Sequence, residues 1–514
     1  MNLANFFCFL FLLYAQTVVI IDEKNKYYHM INFKNILNPC YFVTFVYSLN
    51  VNPRPYSYYN TVQAGSNIIV DKNKDENKPS KQVFASNPAV SLYTPAFTAS
   101  RFRTELSSKD EKNKYNELTK LADKETKKQL NALLKSGILL NSSSNDNSTT
   151  LDNLYKIATT PRAQGLNNAV MLKDTVNTLA DPYIITQQFG NIPAKYQAQA
   201  VQASGDNPAD INVEHSGTCV ASSIEFNLAQ KYPAEFARFA EGLSSPNLSV
   251  KKTIKMNNLA DNTLDAIWLL NAFEIPYEAH NFDEAALTFA PDKNAIIRAF
   301  IQTVDKDKLE RTPLDVLMQS TFMQVGSQQS YDSLTDKRAG KFNQNDKGLI
   351  EFEKTFTESV VEDKNKISVT YQTVDENARL IGYETSFDTM KKQITDALNL
   401  GENVIIGYTQ VDNTNTIING HEITITGVKT DKNGKMIFIC NDTDDNSPLP
   451  VEYSEDYLLP KIHHAALPQV VVANDVNLVE NWVEGLKTYK ELKKQSQMSS
   501  QPPMNIQPQI QMAA

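Results

Sequence analysis

The sequence predicts an α+β chain: a long helical part, which includes a cysteine-opened helix, then an antiparallel β-sheet. Three observations carry this expectation. Between Leu106 and about residue 323, apolar residues recur at three- and four-residue spacing. From Ile367 onward the period switches to two. Within the helical part, EHSGTCVASSIEFNLAQK (214–231) places Cys219 in the first turn of a helix that Tyr232-Pro233 stops.

Size and composition narrow the function. A chain of 514 residues is long enough for two or three domains. Its net charge of −9 is spread among many lysines rather than gathered in a basic face, so nucleic acid is not an expected partner. Four cysteines (Cys8, Cys40, Cys219, Cys440) and six histidines show no CxxC or HxxxH spacing, and no phosphate-binding glycine motif occurs. Neither a metal nor another cofactor is therefore expected.

Residues 1–50 form an apolar leader. Phe6 to Ile21 is almost wholly apolar, but Lys24 and Lys26 follow it and no basic residue precedes it, the reverse of a secretory signal. Reading Met30 as the start puts Lys34 before a second apolar run, Cys40 to Leu49. The expectation is a secreted or cell-envelope protein that associates with a membrane or the cell surface through this segment; a misassigned start makes it cytoplasmic. Residues 51–105 read as a linker or arm, rich in Asn, Ser, Tyr, Pro and Lys.

The segment 106–200 reads as a helical N-terminal region: one amphipathic helix or a pair to Leu140, a polar loop over 141–150, then helices over 151–159 and 167–179. A pro-segment, a docking module and a covering layer all suit it. The domain expected over 201–475 starts with the Cys219 helix, where Ser216, Gly217 and Thr218 can cap free N–H groups. Further helices are expected at PAEFARFAEGL, TLDAIWLLNAF, KNAIIRAFIQTV and PLDVLMQSTFM. A polar stretch over about 328–366 looks like a solvent-exposed insertion. Then come the strand ISVTYQTV, a helix capped by Ser386 and ended by Gly401, the buried strand NVIIGYTQ, and a hairpin of NGHEITITGV and KMIFICND joined at DKNG. Residues 477–491 read as one more helix before a disordered tail.

The chemistry converges on that hairpin. A helix N-terminus favours thiolate over thiol, and a nucleophilic sulfur needs a base that a third group orients. His421 stands at the head of one strand and Asn441-Asp442 at the end of its antiparallel partner, which brings them side by side. A register slip of one residue decides between Asn441 and Asp442. Of the other histidines, His29 lies in the leader, while His280 and the pair His463-His464 lie in segments without a strand partner. The acidic run Asp442–Asn446 reads as a solvated turn and Cys440 as a core residue, although a Cys219–Cys440 disulfide remains open.

GTCVASSIEF, GHEITITGV and IFICNDT together resemble the papain-like cysteine peptidases, most closely the bacterial branch that includes bacteriocin-leader peptidases. The likeness covers about residues 200–475. It implies a helical lobe against an antiparallel sheet, Cys219 as nucleophile, His421 as base, Asn441 or Asp442 as orienter, and a peptide or protein substrate. The family's oxyanion glutamine is replaced by Val213, leaving Asn212, His215 or Gln202 beside the Cys219 N–H. The Cys motif also resembles that of transglutaminase-like acyltransferases, and a papain-like binding module without turnover is the rival from another class.

Overall fold

The computed structural model describes residues 103–189, 216–304, 310–338, 348–375, 377–444 and 448–473, with Val483, Leu486, Lys487 and Glu491 beyond. The expected leader, the arm up to residue 102 and the tail from 492 on lie outside the described residues. The described part is α+β, with its larger sheets antiparallel. No described helix is long and apolar enough to cross a membrane.

The N-terminal helices begin where capping chemistry sets them. The helix α1 (Lys109–Leu121) opens with a reciprocal Ser108–Glu111 capping box, and α2 (Lys124–Ser136) starts at Asp123 and ends at Gly137, whose φ of 79° suits glycine. The third, α3 (Thr150–Thr159), carries a Thr149–Asp152 box, and α4 (Asn168–Ala180) is capped by Asn167. Their apolar faces, with Leu118, Leu130, Leu154 and Val176, share one core with Phe226, Phe236, Phe322 and Phe356. The described part of this region packs on the helices that follow it, and removing it would expose the shared core to water.

The next elements in the chain are α5 (Cys219–Lys231), α6 (Pro233–Ser244), β1 (Val250–Lys255), α7 (Thr263–Ala272), β2 (Tyr277–Ala279), β3 (Glu284–Phe289), α8 (Ala295–Val304) and α9 (Pro313–Gly326). All the expected helices are present. The sheet β1-β3-β2 was not foreseen. Its clue was the alternation of Val250, Lys252 and Ile254, which point inward in β1.

The stretch read as an exposed insertion is the clearest correction. After the short β4 (Tyr331–Asp332) and β5 (Lys337–Arg338), its second half is α10 (Glu351–Glu362), buried from Glu353 to Glu362. A sequence as polar as EKTFTESVVE can be buried because its charges meet partners: Glu353 meets Arg338, Lys354 meets Glu422, and Glu358 meets Lys366.

The remaining elements are β6 (Lys366–Thr370), β7 (Gln372–Val374), β8 (Leu380–Tyr383), α11 (Phe387–Asn399), β9 (Val404–Val411), β10 (Ile417–Thr430), β11 (Met436–Asn441), β12 (Val451–Ser454) and β13 (Ile462–Pro468). Six strands form one sheet in the order β12-β11-β10-β9-β13-β6. The expected strand ISVTYQTV divides between two sheets, as β6 and β7. Ser386 caps α11 through the Thr389 N–H, as expected, and Met390, Ile394, Ala397 and Leu398 pack under the sheet with Ile406, Ile423 and Phe438. Of the helix expected over 477–491, the four described residues are helical, and Val483 and Leu486 enter the helical core.

Candidate active site

The turn before Cys219 is held from outside. Gly217 N–H donates to Asp336 Oδ2 at 2.8 Å, Thr218 N–H to Ser216 Oγ at 3.0 Å, and the Thr218 hydroxyl to Gln319 Oε1 of α9 at 2.9 Å. The expected side-chain cap does not form: Thr218 has φ −93° and ψ 18°, outside the extended backbone that lets an N-cap hydroxyl accept from the helix N–H groups. Beyond its first residue α5 is buried from Val220 to Ala229, while Cys219 itself stays partly exposed.

One turn into α5, Ser222 Oγ lies 2.7 Å from Thr443 Oγ1, just past β11. Thr443 O accepts from Gln187 N–H at 3.1 Å, and Gln188 Nε2 donates to Asp444 Oδ1 at 2.6 Å. The segment Thr186–Gln188 therefore clasps the strand end beside the cysteine helix. Sequence reasoning missed this clasp, for which TQQ carries no periodic signal.

The strand β10 begins at Ile417, so His421 lies within it rather than at its head. Its Nε2 is 2.8 Å from Asp442 Oδ1, the Cys219 thiol stands close enough to the ring to influence its protonation, and Tyr408 packs edge-on with centroids 5.6 Å apart. Asp442 Oδ1 also accepts the Asp444 N–H at 3.1 Å, and Oδ2 the Tyr453 hydroxyl at 3.3 Å. The side chains of His421 and Asp442 are only 12% and 11% exposed, so their charges are poorly screened. Burial pushes the His421 pKa down, but the Asp442 charge and hydrogen bond, with the Cys219 thiol, prevail and hold it well above the imidazole range. Burial opposes ionisation of Asp442 too, yet His421, the Asp444 N–H and Tyr453 hold it below the carboxylate norm.

Of the two expected orienters, only Asp442 reaches His421. Side chains alternate along a strand, and Asn441 stands opposite Thr424 on β10, its buried Oδ1 without a hydrogen-bond partner among the described residues. The acidic run is consequently not a simple solvated turn: Asp442 serves His421 and Asp444 holds Gln187 and Gln188.

No family model, no curated protein and no solved structure matches this chain. The geometry stands alone. It brings together Cys219, His421 and Asp442, and leaves Asn441 aside. Cys219 and Cys440 are both free, Cys440 is buried in the sheet core as expected, and burial followed by the Asp442 charge pushes its thiol pKa well up. The oxyanion candidates Gln202, Asn212 and His215, with Val213, lie outside the described residues, as do His29, Cys8 and Cys40. His280 is exposed just past β2. The pair His463-His464, read as lacking a strand partner, instead begins β13 between β9 and β6, because its short run of small residues is a buried strand with no alternation to reveal it.

Proposed function

We propose that this chain is a papain-like cysteine peptidase that cleaves peptide bonds through Cys219, His421 and Asp442. The meeting of a partly exposed thiol, an imidazole and a carboxylate, from a helix start, a strand and the residue just past its neighbouring strand, carries the reading. The thiol proton rests on His421, held there by Asp442, while Cys219 Sγ attacks the scissile carbonyl, and the imidazolium gives it to the departing amine as the C–N bond breaks. Water, deprotonated by His421, then releases the acyl group. Asp442 fixes the imidazole through Nε2 and stabilises its cationic form. The Cys219 backbone N–H, in a first helical turn and without an intrahelical acceptor, supplies one oxyanion donor.

The same triad can pass the acyl group to an amine, as in transglutaminase-like enzymes, and a papain-like module without turnover remains the non-enzymatic rival. An electrophilic peptide probe followed by intact-mass analysis tests the proposal. A single adduct on Cys219, together with cleavage of peptides from a mixed library, is expected; amine incorporation without cleavage favours the transferase, and no adduct contradicts both enzymatic readings.

A further inference from the structure

Neighbouring residues on a strand ordinarily face opposite ways, yet His463 and His464 come together. The register of β13 on β9 shifts between Ile462 and His464, and the two rings lie 5.3 Å apart at 85°. Glu351, at the start of α10, contacts His463 Nε2 through Oε1. Glu422 Oε1 of β10 lies 3.2 Å from His464 Nε2. One ligand atom from each of Glu351, His463 and His464 falls within 4.8 Å of the others.

A second observation concerns His464 alone. Its side chain is 6% exposed, and neither ring nitrogen has an aligned hydrogen-bond partner among the described residues, the Glu422 contact being close but misdirected. A buried imidazole with both nitrogens unserved is costly unless something binds there. Gly407 of β9 makes room for the cluster, since a Cβ there would run into His464 Cε1 and Glu422 Oε1.

We propose that Glu351, His463 and His464 hold a divalent transition metal, zinc foremost, that fastens α10 to the sheet. Two imidazoles and a carboxylate are a donor set suited to zinc. Zinc at about 2.1 Å from each ligand sets tetrahedral ligands about 3.4 Å apart, so shifts on the order of 1 Å close the site. Glu351 and Glu422 bring two negative charges against the single positive charge of Lys354, which leaves the cluster able to accept a dication. Peptidase activity is not required for this.

The test uses the full chain carrying Cys219→Ala and His421→Ala, so that the Cys219–His421 pair cannot itself bind zinc. Calorimetric titration with Zn2+ is expected to show one saturable equivalent, and thermal melting a Tm raised by the metal. Added singly, His464→Gln and Glu351→Gln should each weaken binding at least ~10-fold and remove most of the Tm rise. Glu351→Gln, at a partly exposed carboxylate, decides the matter if His464→Gln does not fold. Absence of saturable binding, or binding and Tm shift unchanged in the variant read, overturns the proposal.

Discussion

His421 and His464 lie close together on one sheet, both nearly buried and both against a carboxylate, yet their protonation is driven in opposite directions. Burial pushes both imidazoles toward the neutral form. For His421 the Asp442 charge and hydrogen bond and the Cys219 thiol overcome it, while for His464 the Lys354 ammonium reinforces it against Glu422 and Glu351. A histidine–carboxylate contact therefore does not by itself make a base. The decisive difference is the charge each imidazole meets: the Asp442 carboxylate prevails beside His421, whereas a buried lysine works against the carboxylates beside His464.

The sharpest way to break this comparison is to remove each imidazole. His421→Ala should lower turnover at least ~10^4-fold, as loss of a triad base does, whereas His464→Ala should change kcat only a few-fold while lowering Tm. Equal losses of turnover at both positions would erase the distinction.

Next in size is the orienting carboxylate. Asp442→Ala should reduce kcat ~10^3-fold or more by leaving the imidazole without its orienting partner, while Asn441→Ala should stay within about 10-fold in kcat, since the residue touches nothing that reacts. The reverse ranking, read from steady-state kinetics of both variants, would return the role to Asn441. The pH profile sharpens the point. Asp442 keeps His421 protonated above the usual imidazole range, so the alkaline limb of kcat, where the general acid is lost, should move to lower pH in Asp442→Ala. The linked stability has the same signs: the His421 share is complete below its unfolded pKa and lost as pH rises through the raised folded pKa. The Asp442 share is present above its unfolded pKa and lost as pH falls through the depressed one.

Lys354→Met probes the other cluster. It leaves Glu422 buried without its cation and should cost about 3–5 kcal/mol in urea unfolding. It should also raise the His464 pKa, visible in an NMR titration, because the positive charge holding it down is gone. An unchanged His464 titration would show that burial alone sets its state. The smallest expected effect is that of Gly407→Ala, about 1–3 kcal/mol from crowding His464 and Glu422, measured by the same unfolding.

These contrasts also mark what the sequence could disclose. The cysteine helix, the hairpin at DKNG and the Ser386-capped helix were legible because local chemistry dictates them: a Pro stop, a turn with Gly434 at φ 81°, and a hydroxyl accepting the Thr389 N–H. The choice between Asn441 and Asp442 was not, because it depends on a register that shifts between Ile425 and Gly427. The burial of α10 was hidden for another reason. Its partners Arg338, Lys366 and Glu422 come from three separate elements, and polar residues read one at a time look solvated. The strand β13 escaped notice because a strand buried on both faces shows no period of two.

The central claim is that Cys219 is a nucleophile made reactive by His421. Iodoacetamide labelling at neutral pH, with each cysteine followed by peptide mass spectrometry in the full chain, measures it most directly. Cys219 is expected to react at least ~100 times faster than the buried Cys440, and His421→Ala to slow it at least ~10-fold; slow labelling of both thiols at similar rates, unaffected by His421→Ala, would contradict the account.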